Sequence, residues 1–200
     1  MNDILIAFLT GVFGPSLLVL LKFYLDNKRK KKKDPINDLL VNSDLINDEL
    51  NSILEGIDAD RVWIAQFHNG AYYYPSGKSI RKFTIFYEQA VDSVSKISNY
   101  FQSIPCSLYS RSLAHILNDD GLYVKDYKDG EYHELGSVGD MGGTKSSIYF
   151  PLYSFDQKAI GFLCVDWVKH KANIKTEELE TLKNKSYRIA GYLTNYLDSL

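Results

Sequence analysis

Lys145-Ser-Ser-Ile-Tyr-Phe-Pro-Leu152, then Tyr153, the short Ser154-Phe-Asp-Gln157, and Lys158-Ala-Ile-Gly-Phe-Leu-Cys-Val-Asp-Trp-Val168 form the stretch on which the fold turns. Two runs rich in β-formers flank a polar turn, which predicts a hairpin of strands Ser146–Tyr153 and Lys158–Val168. Beyond it, Thr176 is placed to cap a closing helix. Glu177, Glu178 and Glu180 fall in its first turn, where the helix dipole favours anions. The apolar face of that helix is Leu179, Leu182, Ile189, Leu193 and Leu197.

Working back from the hairpin, Lys128 to Lys145 is polar and carries Gly136, Gly139, Gly142 and Gly143. Such a segment loses much chain entropy on ordering and reads as a flexible lid or a disordered bulge. Leu122 to Tyr127 reads as extended, Ser107 to Leu117 as a short helix, and residues 89–103 as helical. Arg61-Val-Trp-Ile-Ala-Gln-Phe67 is a mostly buried strand closed by a His68-Asn69-Gly70 turn, and Phe83–Glu88 is a second strand after a long aromatic loop. Trp63 and Trp167 are both expected in strands and buried. Apolar residues at 36, 39, 46, 50, 53 and 57 predict an amphipathic helix from Ile36 to Gly56. Strands and helices in this order give an α+β domain, an antiparallel sheet with helices on one face.

The N-terminal segment has a different character. Ile4 to Leu21 is eighteen residues without a charge, and seven cations follow between Lys22 and Lys33. With Lys22 snorkelling, Phe23 to Leu25 extend the run to the ~20 residues that a bilayer core requires. Cations after the apolar run, not before it, set it apart from a signal peptide. The positive-inside rule then puts the N-terminus outside and residues 28–200 in the cytoplasm. The expected organisation is a single-pass transmembrane helix at 1–27, a basic juxtamembrane linker at 28–35 and a cytoplasmic domain at 36–200.

Setting aside the seven cations, Asp3 and Asp26 leaves residues 34–200 with 16 basic and 23 acidic side chains. Nothing in that balance suggests a nucleic-acid partner. Two cysteines, Cys106 and Cys164, are too few for a disulfide scaffold. The four histidines are scattered without ligand spacing, so no metal site is expected. Ser76-Gly77-Lys78-Ser79 fails as a P-loop, because Tyr72 stands where the pattern needs glycine and a strand follows in place of a helix.

Several phrases together resemble a GAF domain. Asp60-Arg-Val-Trp-Ile-Ala-Gln-Phe67 resembles the family's first strand, and Leu113 to Tyr127 its middle helix and following strand. Lys145-Ser-Ser-Ile-Tyr-Phe-Pro-Leu152, Ala159-Ile-Gly-Phe-Leu163 and Thr176-Glu-Glu-Leu-Glu-Thr-Leu182 match its usual ending. Phe67-His-Asn-Gly70, Ser76-Gly-Lys-Ser79 and Phe83–Glu88 also resemble a less characterised GAF-like subgroup often found behind a membrane anchor. The resemblance covers about residues 36–197. It implies a GAF/PAS-like antiparallel sheet flanked by helices, in a module that binds a small ligand or acts through dimerisation, with no catalytic residues assigned.

The resemblance also places two segments around one cavity: His68, Asn69, Tyr73, Lys78 and Glu88 on the first, and Arg111, Asp140, Lys145 and Ser147 on the second. Lys78, Arg111 and Lys145 converging there would suit a small anionic ligand. The bland alternative is a local turn at His68–Gly70, surface residues on the second segment, and a cavity closed by aromatic rings. The chain ends on its closing helix at Leu200, so a signal is expected to leave through a homodimer or an unknown protein partner. Two rival functions stand beside the membrane-anchored sensor. One is a membrane-tethered adaptor. The other is a redox enzyme using Cys106, although Cys106 and Cys164 do not reproduce the redox cysteine set of the family's reductase. Cys106 before a helix carrying His115 also resembles bilin-binding relatives, but the adjacent histidine is missing, since Ser107 follows it.

Overall fold

A computed structural model describes residues 14–29, 35–129 and 133–197. The predicted hairpin is its centre. β5 (Ser146–Tyr153) and β6 (Ala159–Trp167) pair antiparallel around the 154–158 turn, and β6 pairs in turn with β1 (Arg61–Tyr72). β2 (Ser79–Ala90), β3 (Ile104–Pro105) and β4 (Leu122–Val124) complete a six-stranded antiparallel sheet of order β3-β2-β1-β6-β5-β4.

Alternation along the strands gives the sheet two inner faces. Val62, Ile64, Ile148, Phe150, Leu163 and Val165 point one way, onto α2 (Pro35–Gly56) and α5 (Thr176–Leu197). Those two helices meet through Ile46, Leu50, Ile53, Leu182, Ile189 and Leu193, and Glu49 accepts from Lys185 (3.1 Å) and Arg188 (3.0 Å) across the seam. The opposite face carries Trp63, Ala65, Tyr149, Phe162 and Cys164. It is covered by α3 (Ser110–Asn118), α4 (His133–Gly142) and the 97–101 segment, through Leu113, Ile116, Leu135, Ile97 and Phe101. Trp63 and Trp167 are both buried, on opposite faces.

Four local expectations are corrected. Residues 89–103 hold one 3-10 turn, Ser98–Tyr100, in place of a helix. Ser93, Ser95, Ser98, Asn99 and Ser103 compete with the helical backbone for hydrogen bonds. The segment instead runs back along β2, with Ile85 N–H donating to the Phe101 carbonyl (3.0 Å). His68–Gly70 is no turn, because β1 continues to Tyr72 and bends at an irregularity between Asn69 and Tyr72, where Ala71 has φ 56°. The long aromatic loop is therefore only the tip of the β1–β2 hairpin. Finally, the glycine-rich segment contains α4, and helices lie on both faces of the sheet.

α1 (Gly14–Arg29) carries an exposed apolar run from Leu17 to Leu21, with Phe23. Of the proposed membrane span, residues 4–13 lie outside the described residues. Among the described residues no helix is long and apolar enough to cross a membrane.

Candidate functional site

The covered face that carries Trp63 and Tyr149 is polar at one end. Arg61 begins β1 and Asp166 nearly ends β6; the register pairs them, and alternation puts both on this face. Both are fully buried. Asp166 Oδ2 accepts from Arg61 Nε (2.9 Å), Arg61 Nη2 (2.6 Å) and Trp63 Nε1 (2.9 Å). Its Oδ1 accepts from Ser147 Oγ (2.5 Å) and Cys164 Sγ (3.2 Å). The remaining Arg61 donors reach the Thr144 hydroxyl (2.6 Å) and the Ser95 and Gly142 carbonyls (3.1 and 3.3 Å). A guanidinium has five N–H groups, and all five are used here. The pair therefore meets the condition under which a buried salt bridge holds, with every lone pair and proton partnered.

Two extensions carry the network outward. Tyr127 donates its hydroxyl to Ser147 Oγ (2.9 Å), and its oxygen lies 2.5 Å from the Tyr149 hydroxyl. Burial, with the nearby Cys164 and Asp166, pushes the Tyr127 phenol well above its ordinary value, and Tyr149 likewise. Glu88, 3.9 Å from Arg61, accepts the backbone N–H groups of Ile97 (2.7 Å) and Ser98 (2.8 Å) and so pins the 97–101 segment beneath the sheet.

The network also explains the glycines of α4. A Cβ at Gly142 would sit 2.4 Å from Arg61 Nη2, and one at Gly139 would sit 2.8 Å from the Tyr127 ring. Glycine lets the helix approach both groups. The entropy cost read from the sequence was real, but close packing outweighs it.

Two spaces flank this network. Inside, the hollow lined by Trp63, Phe83, Phe101, Tyr109, Leu113, Ile116, Leu135 and Phe162 amounts to about 10 Å³. That is the room of one water at most. Outside lies a cleft of about 730 Å³ bounded by Asp126–Lys128, Gly139, Asp140, Gly143–Lys145, His170 and Lys171. Lys171 is ion-paired with Asp126, and Lys145 Nζ donates to the Lys169 carbonyl.

The nine candidate residues do not surround one cavity. Asp140 and Lys145 line the outer cleft, and Ser147 lies beneath it in the network, as does Glu88 at the near end of β2. Lys78 stands at the far end of the hairpin, some nine strand residues or about 30 Å from Glu88. His68, Asn69 and Tyr73 belong to that far half. His68 Nε2 meets the Thr84 hydroxyl (2.9 Å), and Asn69 Oδ1 accepts from Arg81. Arg111 is exposed on α3, where its backbone N–H faces Glu134 Oε1 (3.3 Å). Arg61, Thr144 and Asp166 were not singled out from the sequence. The available signal was one carboxylate in an apolar strand, Leu163-Cys-Val-Asp-Trp167, since an aspartate is rarely buried without a partner.

Cys106 is half-buried in a 3-10 turn before α3, and burial pushes its thiol up against the smaller opposing pull of its own backbone and of Arg81. Activated cysteines need the opposite shift. His115 is engaged with Asp119 at 2.8 Å. Among the described residues no cluster of histidine, cysteine and carboxylates suits a metal ion.

Compared with solved structures, the fold is that of GAF domains. A far-red cyanobacteriochrome photoreceptor superposes with a TM-score of 0.62 at 15% identity, covering 90% of this chain and 98% of that one. The GAF domain of Thermosynechococcus elongatus PixJ, in its blue-light absorbing form, gives 0.62 at 13% identity, covering 79% and 88%. The phycocyanobilin-bound GAF domain of a cyanobacterial phytochrome gives 0.59 at 15% identity, covering 84% and 92%. No family model and no curated protein matches the sequence.

Proposed function

We propose that this chain is a membrane-anchored regulatory module of GAF fold that works by self-association, without catalysis of its own. The observation that carries the reading is the uneven cover of α2. Its second half buries Ile46, Leu50 and Ile53 in the domain, whereas Ile36 (68% exposed), Leu40, Val41 and Leu45 in the first half face outward. A helix apolar beyond its packed stripe calls for a partner. The half in question follows directly on the basic linker, where tethering to one bilayer concentrates copies of the chain. A second copy is the occupant that this face fits. Sedimentation equilibrium of the full chain in detergent should give a dimer. Leu40→Asp with Leu45→Asp should give a monomer of unchanged urea stability, because both side chains are exposed in the domain. A monomeric parent chain at high micromolar concentration would remove the proposal.

A ligand-sensing role has one observation in its favour, the outer cleft that brings Lys145 and Asp140 beside Lys128. The anionic-ligand reading belongs there and not in the filled interior. In a thermal-shift screen of organic acids and nucleotides, a ligand at ~100 times its dissociation constant should stabilise by about 2.7 kcal/mol. Lys128→Ala with Lys145→Ala should abolish that gain, and a screen without any shift would leave self-association as the sole mode.

A further inference from the structure

The β1–β2 hairpin departs from the charge balance of its domain. Between Phe67 and Tyr87 there is no carboxylate, while Lys78, Arg81 and Lys82 all fall there. Residues 34–200 as a whole carry 23 acidic against 16 basic side chains. At the tip Tyr72, Tyr73 and Tyr74 are exposed, Tyr74 at 98%. The turn is closed by backbone bonds, from Tyr73 N–H to the Lys78 carbonyl (2.9 Å) and from Gly77 N–H to the Tyr73 carbonyl (2.8 Å).

α2 fixes the direction in which this tip points. Going backward along the helix, Asn47 accepts from Gln89 (3.2 Å), Ser43 meets the Tyr87 hydroxyl (3.1 Å), and Leu39 lines a groove with His68 and Phe86. The helix start thus heads toward the hairpin tip. From Ser43 to Pro35 the helix rises about 12 Å. From Tyr87 to Ser79 the strand rises about 26 Å, so the tip reaches about 14 Å beyond the start of α2. Six peptide steps separate Pro35 from Arg29, the end of α1, and span at most about 21 Å. The β5–β6 turn lies at the same end, because Gly161 pairs with Gln66, and it adds Phe155, 70% exposed.

We propose that this end of the domain is a second membrane contact. The hairpin tip seats Tyr72–Tyr74 at the headgroup level of an anionic bilayer, with Lys78 and Arg81 against lipid phosphates. Tyrosine is the side chain suited to that boundary, with an apolar ring and a polar tip. Lysine and arginine are drawn to a leaflet of anionic lipid. A convex tip two strands wide offers little of the flat, desolvated centre that a protein interface needs. The contact rests on the anchored reading in one respect: the tether supplies the effective concentration that makes a weak interfacial site sufficient. Docking would fix the orientation of the domain and make it responsive to lipid charge and salt.

The test uses the full chain with Cys106→Ser and Tyr74→Cys, labelled with an environment-sensitive fluorophore and reconstituted into phosphatidylcholine vesicles with or without phosphatidylserine. A matching label at Ser93→Cys, at the opposite end of β2, is the control. The label at 74 should shift to the blue in serine-containing vesicles, less so in pure phosphatidylcholine, and lose the shift with Lys78→Glu and Arg81→Glu. The label at 93 should report water in both. Alkaline extraction of the same vesicles reads the anchor separately. A label at 74 that stays in water on vesicles retaining the protein overturns the docking contact and leaves the anchor standing. A blue shift on a chain that alkali strips off keeps the contact and removes the anchor. Shielding of residue 74 only on raising protein density in detergent would assign the tip to a protein and overturn the proposal.

Discussion

The two faces of the sheet solve the same packing problem with different chemistry. The face under α2 and α5 is apolar throughout and largely aliphatic: Val62, Ile64, Ile148, Leu163 and Val165, with Phe150 and Trp167, meet Leu50, Ile53, Ile189 and Leu193. The face under α3 and α4 is aromatic and ends in a fully buried charge pair, Arg61–Asp166. Neighbouring positions on one strand are thus assigned to opposite regimes by parity alone. An aliphatic face loses stability in proportion to what is removed. A charge network fails abruptly, because taking one partner leaves the other buried and unpaired.

The largest expected effect comes from breaking the polar face. Asp166→Ala should cost about 3–5 kcal/mol in urea unfolding, since it strands the Arg61 guanidinium. Replacing both, as Arg61→Met with Asp166→Leu, should recover most of that loss, because two apolar groups need no partners. Failure of the double variant to recover would mean that Trp63, Ser147 and Thr144 depend on the pair for their own satisfaction. On the aliphatic face Leu50→Ala should cost about 2–5 kcal/mol, and no second substitution among charged groups should rescue it. Gly142→Ala comes next. Its Cβ would crowd Arg61 Nη2 at 2.4 Å, and overpacking of this kind costs about 1–3 kcal/mol. If it proves neutral, α4 does not press on the network as described.

The smallest effect is a titration at the rim. Burial raises the Asp60 carboxyl, but the backbone N–H groups of Lys169 and Val168 and the Lys169 ammonium outweigh that, so its folded value lies below the ordinary carboxylate value. A carboxylate depressed in the folded state contributes stability above its unfolded value and loses it as pH falls through the folded one. Stability should therefore decline below about pH 4, and Asp60→Asn should flatten that acid limb. An unchanged limb would assign the acid sensitivity to other carboxylates.

These contrasts also mark how much was legible in the sequence. The hairpin of β5 and β6, the closing helix from Thr176 and the amphipathic α2 all announce themselves by residue pattern, which gives the α+β class. The GAF-like architecture is implied by the resemblance of local phrases such as Lys145–Leu152 and Thr176–Leu182. Residues 89–103 and 128–145 depart from their sequence pattern for one shared reason. In both, a partner beyond the reach of one helical turn decides the local structure: Glu88 holds the N–H groups of Ile97 and Ser98, and Arg61 and Tyr127 demand glycine in α4. Propensity sums over the few residues of a helical turn, and it sees neither a carboxylate nine residues back, as Glu88 is from Ile97, nor a guanidinium on another element, as Arg61 is from Gly142. The candidate site scattered for a related reason. His68 and Lys78 lie close in sequence to Glu88, but a hairpin of two twelve-residue strands carries them to its opposite end.

α2 brings the comparison to function, since its second half belongs to the aliphatic face and its first half does not. Disulfide trapping in phospholipid vesicles reads that division directly. In the full chain with Cys106→Ser, a cysteine at Leu40 is compared with one at Asn51, which is also exposed but lies on the half that packs on the domain. Self-association through the first half predicts rapid formation of a crosslinked dimer at position 40 that persists as lipid is added, and little at position 51. Equal trapping at the two positions, or trapping at 40 that falls away in proportion to dilution, would be random collision and would contradict the account.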